Sequence, residues 1–475
     1  MYVLRLGKER PKVQEELLEI VQTINSYLSN YVLIVLLIGA GLFFTIRTRG
    51  VQFRCFGEGM RRMFGNFSLN GKKHESGMSS FQALATAVAA QVGTGNIVGA
   101  CGAIMAGGPG SIFWMWVIAF FGMATIYAEA VLAQKTRITS SDGEILGGPV
   151  YYIRTAFRSG LGKALAGFFA VAIILALGFF GCMVQSNSIG QAFQNAFGIP
   201  SWAVGIVLAV IGGFIFLGGT QRLASVTEKL VPVMAGLYLL GGLAVVLLRI
   251  RYVPEAVGMI FRYAFRPQAI LGGSAGAALK AAVSLGAKRG LFANEAGMGS
   301  TPHAHALANV KRPHDQGCVA MVGVFIGTFN VVTITALVII VTMYAGGGPL
   351  SAVGAGLSPE TLGLSPSNLA QTAFSSVLGS AAGSAFIAIA LFFFAFSTVL
   401  SWNMFGRLNT EYLFGKKAVP AYTVLSLIFI LLGTVTAPGL VWELSDLFNQ
   451  LMVIPNALAL LALSALVVRA AKGSK

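Results

Sequence analysis

Charged residues are scarce in this sequence. Only 11% of the 475 residues are Asp, Glu, Lys or Arg, whereas 56% are hydrophobic. A soluble globular domain carries about 25% charged residues, so this composition excludes an ordinary soluble protein. Apolar windows of about 20 residues recur along the chain, and each is long enough to cross a bilayer core of about 30 Å. The sequence therefore predicts a polytopic membrane protein.

Residues that carry covalent or metal chemistry are also few. The chain has four cysteines and four histidines, and the positions of the cysteines suggest no disulfide framework. His303 and His305 lack a third ligand at metal-binding spacing, so we expect surface residues there rather than a zinc site. The sequence has no phosphate-binding loop, nucleophile elbow or pair of catalytic carboxylates. These absences argue against an enzyme and against an ATP-driven pump.

Eleven apolar spans are predicted, and an internal repeat organises ten of them. Numbered zero to ten, they cover residues 30–47, 78–106, 110–134, 163–187, 201–219, 229–249, 270–300, 316–345, 380–406, 418–437 and 446–468. Spans one to five and six to ten each begin with a glycine-interrupted helix. An odd number of crossings gives the two halves opposite orientations in the bilayer. The predicted fold is all-α, a 5+5 inverted repeat with one extra amino-terminal transmembrane helix.

Five units follow from these spans. They are a surface helix over residues 1–29, the extra span with a cytoplasmic loop over 30–77, two five-helix repeats over 78–250 and 270–468, and a cytoplasmic tail over 469–475. The net charge of +16 reports topology, because basic residues mark cytoplasmic loops. The amino terminus is then outside and the carboxyl terminus inside a cell membrane. Two regions are exceptions to this orientation: the amino-terminal segment, where acidic residues balance the basic ones, and the basic connection 249–266, which fits it least well.

The interrupted helices predict a binding site. Gly93-Thr94-Gly95-Asn96 breaks span one, and we expect residues 284–290 to break span six, although Lys288 and Arg289 could instead mark a helix end there. Hydrocarbon cannot satisfy the backbone groups that such breaks free. Half-helix termini offer amides to a carboxylate and carbonyls to an ammonium group. The two breaks are therefore expected to face each other and to bind a small zwitterionic solute.

Candidate solute contacts are polar or small residues at these breaks and on neighbouring spans. They are Gln91, Thr94, Gly95, Asn96, Gln185, Ser284, Gly286 and Trp402. A buried amide such as Gln185 is equally suited to joining two helices, and Trp402 to helix packing. Ser397 and Thr398 place adjacent hydroxyls deep in span eight. They favour a cation site, with bonding back to their own helix as the alternative.

Few ionisable side chains fall within the spans, and such residues are functional candidates by default. These ionisable residues could form a proton relay. They are explained as well by a gate or a structural ion pair in which Glu129 or Glu295 pairs with Lys288 and Arg289. No aspartate is expected at the centre of a span. Sodium coupling is therefore preferred to proton coupling.

Several motifs closely resemble the alanine or glycine:cation symporter family. The first is Gly93-Thr94-Gly95-Asn96-Ile97-Val98-Gly99, continued by Gly107-Gly108-Pro109-Gly110 and Phe113-Trp114-Met115-Trp116. Supporting matches are Lys288-Arg289-Gly290-Leu291-Phe292, Asn294-Glu295-Ala296-Gly297 and Phe396-Ser397-Thr398 with Trp402. The resemblance covers residues 78–468. It implies a leucine-transporter-like fold and sodium-coupled transport of small amino acids.

The resemblance also implies ligands for the co-transported sodium ion. By similarity to the wider fold, carbonyls of Ala89 and Val92 would bind it together with Ala395, Ser397 and Thr398. Val399 stands where many relatives carry a second hydroxyl, so the roles of Ser397 and Thr398 stay open.

The expected function is import of a small neutral amino acid, alanine or glycine, driven by inward sodium flow through alternating access. The expected partners are the solute, sodium and the lipid bilayer, with no nucleic acid and no obligatory protein partner. Two alternatives remain: a proton-coupled or exchange carrier of another small polar solute, and a sensor that binds solute without transporting it.

Overall fold

The computed structural model describes residues 12–65, 77–265, 275–351 and 359–473. Helices make up nearly all of these ranges. A short antiparallel hairpin, β1 Ile138–Thr139 and β2 Ile145–Leu146, pairs Ile138 with Leu146 and Thr139 with Ile145. The predicted all-α membrane fold is confirmed, with this hairpin as its one described addition.

The amino-terminal segment is one continuous helix. It consists of α1 Lys12–Tyr27, a π-helical stretch Leu28–Leu33 and α2 Ile34–Arg47, and residues Glu16–Arg47 form a membrane-length apolar helix. The helix passes through residue 30 without a break, so the predicted division there between a surface helix and the extra span stays a prediction. Ser29 is buried there and donates to Gln450 Oε1 at 2.9 Å. Residues 1–11 of the predicted surface helix lie outside the described residues. Two short helices follow, α3 Val51–Arg54 and α4 Phe56–Gly65.

The first half contains a broken helix and four further spans. Its elements are α5 Ser80–Gln91, a π-helical turn Gly95–Gly99, α6 Ala100–Gly107, α7 Ser111–Thr136, the hairpin, α8 Pro149–Ala156, α9 Gly160–Ile173, a π-helical stretch Ile174–Gly181, α10 Cys182–Phe197, α11 Ser201–Leu217 and α12 Gly219–Leu248. α9 to α10 form one helix, Gly160–Phe197, which extends beyond the predicted span 163–187. The extension leaves Gln185 in the middle of the helix instead of near its end.

The second half repeats this order. Its elements are a 3₁₀ turn Ile250–Tyr252, α13 Val253–Phe265, α14 Ala275–Asn294, α15 Pro302–Leu307, α16 Pro313–Val324, a π-helical stretch Phe325–Val332, α17 Thr333–Ile339, a π-helical turn Ile340–Tyr344, 3₁₀ turns Ala345–Gly347 and Pro359–Leu362, α18 Leu369–Leu378, α19 Ser380–Phe414, a 3₁₀ turn Lys416–Ala418, α20 Val419–Val435, α21 Pro438–Ala462 and α22 Ser464–Lys472. α21 begins at Pro438, earlier than the predicted start of span ten at residue 446.

Eight helices in the described ranges are long and apolar enough to cross a bilayer. The pair Ser80–Gln91 and Gly95–Gly107, bent by 45°, makes a ninth crossing if it is one span. Of the other predicted spans, span four is the apolar helix Ser201–Leu217 of 17 residues, and span six is described only from Ala275. The count of eleven therefore stays a prediction.

The break in the second half lies later than predicted. α14 is continuous from Ala275 to Asn294, so residues 284–290 are helical. The backbone leaves the helix at Glu295, where φ is 56°, and Gly297 and Gly299 have φ of 90° and 81°. These left-handed conformations favour glycine. The prediction was wrong because glycine in a membrane helix also serves close packing: a Cβ on Gly286 would lie 2.5 Å from Cβ of Trp114 on α7.

Candidate functional site

The first break interrupts a helix with a well-defined start. Ser79 caps α5 by accepting from the Gln82 amide, and Gln82 Oε1 accepts from the Ser79 amide, both at 3.0 Å. α5 ends at Gln91, and Val92 has φ −114° and ψ 81°. The chain re-enters a helix at Gly95. The break predicted from Gly93-Thr94-Gly95-Asn96 is therefore confirmed.

Two side-chain amides satisfy backbone groups that this break frees. The Gly93 amide donates to Asn96 Oδ1 at 3.0 Å, and the Thr94 amide donates to Gln185 Oε1 at 3.1 Å. Asn96 Nδ2 in turn donates to the carbonyls of Ala293, 3.1 Å away, and Gly327, 2.9 Å away. Ala293 lies two residues before the second break. The two broken helices thus meet, as the sequence predicts.

Glycine is required at two positions of the first break because neighbouring helices approach so closely. A Cβ on Gly93 would lie 2.4 Å from Thr398 Oγ1 and 3.0 Å from Gln185 Oε1. A Cβ on Gly95 would lie 2.7 Å from Cδ1 of Phe292. α10, α14 and α19 therefore converge on the break.

Two carboxylates hold the second break. Glu129 on α7 accepts from the amides of Gly297 and Gly299 at 3.2 and 3.0 Å, and from Asn456 Nδ2 at 2.7 Å. Glu295 accepts from the indole N–H of Trp402 and from the Ser300 hydroxyl. Both carboxylates are buried. They replace the helical partners of a segment in left-handed conformation, and neither pairs with Lys288 or Arg289 as considered above.

Polar atoms without partners lie beside the first break. Thr94 Oγ1 and Gln185 Nε2 are buried, and neither makes a hydrogen bond within the described parts of the chain. Leaving such groups unpaired costs free energy. Because the Thr94 amide already binds Gln185 Oε1, both atoms belong to one small region. A bound polar solute would supply the missing partners.

Gln91 is oriented differently. Its side-chain oxygen and nitrogen are also unpartnered, but a Cβ on Gly323 of α16 would lie 2.6 Å from Gln91 Oε1. The side chain therefore lies against α16. The position of Gln91 one residue before the break does not bring its amide to Thr94 and Gln185 in this arrangement.

The hydroxyls of α19 face two different neighbours. Thr398 Oγ1 lies 2.7 Å from the Ala89 carbonyl and also 3.0 Å from the Phe394 carbonyl of its own helix. Ser401 Oγ donates to the Thr86 carbonyl at 2.9 Å. Ser397 Oγ bonds back to the Phe394 carbonyl at 2.9 Å and contacts Met234 Sδ at 3.3 Å. Thr398 thus faces α5 and Ser397 faces α12. Sequence reasoning missed Ser401, although its position three residues after Thr398 puts both on one helix face.

Trp402 supports the second break. Besides donating to Glu295, its ring meets the ring of Phe292 at 5.6 Å between centroids, with planes 88° apart. A Cβ on Gly181 would lie 2.6 Å from the indole. Both proposed roles, pocket wall and helix packing, fit these contacts.

Two basic residues of α14, Lys288 and Arg289, lie about two turns before the second break and pair with acidic residues of α21. Lys288 Nζ is 2.8 Å from Asp446 and 3.5 Å from Glu443, and Arg289 is 3.3 Å from Asp446. The Arg289 guanidinium also lies 4.4 Å from the ring centroid of Trp442. The predicted pairing with Glu129 or Glu295 is wrong because α21 begins earlier than expected, which brings Glu443 and Asp446 into the helix beside α14.

A small crevice lies next to this charged pair. It is lined by Leu33, Lys288, Leu291, Phe292, Met298, Asp446, Asn449 and Gln450. Phe292 contacts Trp442 at 5.0 Å between ring centroids and is the residue that a Cβ on Gly95 would strike. Phe292 therefore stands between the crevice and the first break.

The two histidines after the second break are buried, so their prediction as surface residues is wrong. His303 Nε2 lies 2.8 Å from Asn409 Nδ2, and its ring stacks on Phe405. His305 Nδ1 lies 2.9 Å from Gln316 Nε2. These contacts pack α15 against α19 and α16. The sequence suggested surface residues because both histidines lie next to a proline and a predicted loop.

The structure brings together only part of the predicted set. Thr94, Gly95, Asn96, Gln185, Ala89 and Thr398 converge at the first break. Val92 directly follows the last residue of α5, and Ala395 is buried within α19. Ser284 and Gly286 lie within the continuous part of α14, and Ser397 faces away from α5. The residues that the sequence did not single out are Ser401, Phe292 and Asp446.

Comparison with known proteins agrees with this architecture. A Methanococcus maripaludis protein named sodium/alanine symporter AgcS is 39% identical over 458 residues, covering 96% of this chain and 97% of that protein. The Bacillus subtilis amino-acid carrier protein AlsT is 38% identical over 434 residues, covering 90% and 86%. The crystal structure of MhsT in complex with L-phenylalanine aligns with a TM-score of 0.58 at 16% identity, covering 84% of this chain and 98% of that one.

The similarity to MhsT shows a shared fold, which is the leucine-transporter-like fold that the resemblance implied. The model of the sodium:alanine symporter family matches residues 14–473. With the high coverage of the relatives above, this match excludes the reading as an enzyme and disfavours the alternatives of another carrier class or a sensor. The chain belongs to the sodium:alanine symporter family and is an integral membrane transporter.

Proposed function

We propose that this protein imports a small neutral amino acid, alanine or glycine, together with sodium by alternating access across the cell membrane. The observation that carries the proposal is the meeting of two broken helices around the unpartnered Thr94 hydroxyl and Gln185 amide. The name of AgcS, a sodium/alanine symporter, supports sodium and alanine, and the name of AlsT, an amino-acid carrier protein, supports an amino acid.

The solute binds beside the first break. Its carboxylate accepts from the Thr94 hydroxyl and from Gln185 Nε2, both of which are buried and unpartnered. Asn96 orders the break, since all the polar atoms of its side chain bond to backbone groups. The contact of Phe292 with Gly95 leaves little space, which favours a short side chain on the solute. Ser284 and Gly286 lie earlier on α14 and are not part of this proposal.

Sodium binds as the second substrate between α5 and α19. The Ala89 carbonyl lacks its usual helical donor because the Gly93 amide donates to Asn96 Oδ1. Thr398 Oγ1 lies 2.7 Å from that carbonyl. These atoms, the Val92 carbonyl at the end of α5 and the Ala395 carbonyl offer the hard oxygens that sodium prefers. Ser397 is the weakest member of the predicted set, because its hydroxyl faces Met234.

The buried carboxylates favour sodium over proton coupling. Glu129 accepts three hydrogen bonds from nitrogen donors, and Glu295 accepts two. Both carboxylates therefore act as fixed partners of the second break. Binding of solute and sodium at one break also makes each favour the other.

Access from one side of the membrane is controlled by Phe292, Trp442 and the ion pairs between Lys288, Arg289 and Asp446. Lys288, Phe292 and Asp446 line the crevice, and Phe292 also lies against Gly95 of the first break. In the predicted topology this end of the bundle is extracellular. Separation of α14 from α21 would open the crevice to the break.

Uptake by proteoliposomes tests the proposal. Radiolabelled alanine, glycine, serine and glutamine are offered with an inward sodium gradient, with a proton gradient, and with neither. We expect accumulation of alanine or glycine with the sodium gradient alone. Accumulation driven by the proton gradient without sodium, or no concentrative uptake of any member of the panel, would refute the proposal.

The Thr398→Val variant examines the ion site. Valine keeps the shape of threonine but removes the hydroxyl that faces Ala89, so the sodium concentration for half-maximal uptake should rise at least about fivefold, equivalent to about 1 kcal/mol. Thr410→Val is the matched control on α19, because Thr410 Oγ1 bonds back to the Gly406 carbonyl of its own helix. An unchanged sodium dependence in Thr398→Val would remove Thr398 from the site.

A further inference from the structure

A second cluster of ligating side chains lies outside the transport site, where α4 meets α16. Cys55 immediately precedes α4, while His314 and Cys318 lie one turn apart on α16. The ligand atoms of these three residues all lie within 4.8 Å of one another, and the three side chains are buried. Glu58, in the first turn of α4, approaches the same imidazole. Two elements distant in sequence thus bring four donor groups together.

The distances suit a single small metal ion. His314 Nε2 lies 3.3 Å from Cys318 Sγ and 3.3 Å from Glu58 Oε2. With zinc bonds of about 2.0 Å to nitrogen or oxygen and about 2.3 Å to sulfur, tetrahedral geometry puts neighbouring ligand atoms about 3.3–3.7 Å apart. Two thiolates, one imidazole and one carboxylate form a donor set that suits Zn²⁺.

The histidine is oriented for this role. The Tyr127 hydroxyl lies 2.7 Å from His314 Nδ1, so the other ring nitrogen, Nε2, faces Cys318 and Glu58. An anchored second nitrogen is typical of histidines that bind metals. Tyr127 is itself held by packing, because a Cβ on Gly317 would lie 2.7 Å from its ring.

The backbones are also held at the required separation. A Cβ on Gly59 of α4 would lie 2.3 Å from the Cys318 carbonyl oxygen. Only glycine allows α4 to pass this close to α16. The close approach brings Cys55, one turn before Gly59, within reach of Cys318.

The surrounding charges leave room for a divalent cation. Arg62 lies 2.8 Å from Glu58 and 3.1 Å from Asp315, and Arg312 lies 2.9 Å from Asp315. The two guanidinium groups balance the two carboxylates. Cysteines lose their protons when they bind zinc. The two thiolates would therefore balance the charge of the doubly charged ion.

We propose that Cys55, His314 and Cys318, with Glu58 as the fourth ligand, form a Zn²⁺ site that fastens α4 to α16. The site has a structural role distinct from solute and sodium binding, since its ligands come from the beginnings of α4 and α16 and not from the two breaks. α16 also contacts α5 where Gly323 meets Gln91. The ion would thus stabilise one arrangement of the helices at this end of the bundle.

Metal analysis of the full chain tests the proposal. Protein without a metal-binding tag is purified in detergent, exchanged against a weak chelator and assayed for zinc by mass spectrometry. We expect about one zinc per chain, as in a closed structural site, and loss of the metal in Cys318→Ser. Cys101→Ser is the matched control, because Cys101 is a buried cysteine on α6 outside the cluster. Zinc content that is negligible in the unaltered chain, or unchanged in Cys318→Ser, would overturn the proposal.

Two measurements on the unaltered protein guard against a variant that fails to fold. Replacement of zinc by cobalt should produce a thiolate-to-cobalt charge-transfer band. Added Zn²⁺ should slow alkylation of Cys55 at least about tenfold, whereas Mg²⁺, which prefers oxygen ligands, should not. Absence of the band, equal alkylation rates, or a Cys55–Cys318 disulfide in the purified protein would each count against the site.

Discussion

Asn96 is predicted to hold the first break together, and replacing it by alanine tests this. The side chain accepts one hydrogen bond and donates two, and all three partners are backbone groups. Leaving a buried group unsatisfied costs about 1–3 kcal/mol, whereas a hydrogen bond between membrane helices contributes about 0.6 kcal/mol on average. Three lost bonds therefore destabilise the protein by about 2–9 kcal/mol.

The geometry favours the middle of that interval. Asn96 is completely buried, and its partners lie at breaks or π-helical turns where the helical ladder offers no replacement. We expect Asn96→Ala to cost about 4 kcal/mol. For a domain of 150–250 residues, each kcal/mol lost from the free energy of unfolding lowers Tm by about 2–4 °C. For a chain twice that length, the same loss lowers Tm by about half as much. The midpoint of thermal unfolding should thus fall by about 4–8 °C.

Tryptophan fluorescence in detergent measures this midpoint, since the chain has five tryptophans. Asn403→Ala is the control: Asn403 is a buried asparagine whose side chain donates one hydrogen bond, to Ser426 Oγ at 2.8 Å. Its midpoint should fall by about a third as much. If Asn96→Ala unfolds no earlier than Asn403→Ala, the three bonds do not hold the break, and the reasoning fails.

Two further predictions concern the charged pair and the first break. Asp446→Asn removes the acid that pairs with both Lys288 and Arg289 and leaves Glu443, 3.5 Å from Lys288, in place. Because Asp446 is buried, unfolding should become easier by about 3 kcal/mol and uptake should fall. Asp142→Asn, at an exposed pair with Lys416, should change neither. Gly95→Ala puts a methyl group 2.7 Å from Phe292 and should abolish concentrative uptake while the protein still reaches the membrane. The control Gly236→Ala on α12, with nothing within 4 Å of the new Cβ, should transport normally. Equal uptake by the two variants would contradict the close approach of Phe292 to Gly95.

Much of the first break could be predicted from the sequence, because its signal is local. Two glycines flanking a threonine and preceding an asparagine inside an apolar span disfavour a helix wherever they occur. Asn96 was predicted as a solute contact, however, and the structure gives all of its side-chain bonds to backbone groups. Sequence spacing identifies a polar residue at a break but not which neighbour it bonds.

The second break was predicted too early for a physical reason. Gly286 and Gly290 permit close contact with α7 while remaining helical: a Cβ on Gly290 would meet Ile118 at 3.4 Å. Gly297 and Gly299, by contrast, adopt left-handed conformations. The same residue type serves both purposes, and only the position of α7 and its Glu129 distinguishes them.

The sequence alone determined the membrane class, the helical architecture, the first break and the family resemblance, since each follows from composition or from a contiguous motif. Tertiary structure decided which side chains share a site: that Thr398 and Ser401 face α5 while Ser397 faces α12, that Lys288 and Arg289 pair with Asp446, and that Cys55 meets His314 and Cys318. Such choices depend on how helices far apart in the chain rotate and cross. Hydrophobic patterning constrains those angles weakly, because in a lipid environment most faces of these helices are apolar.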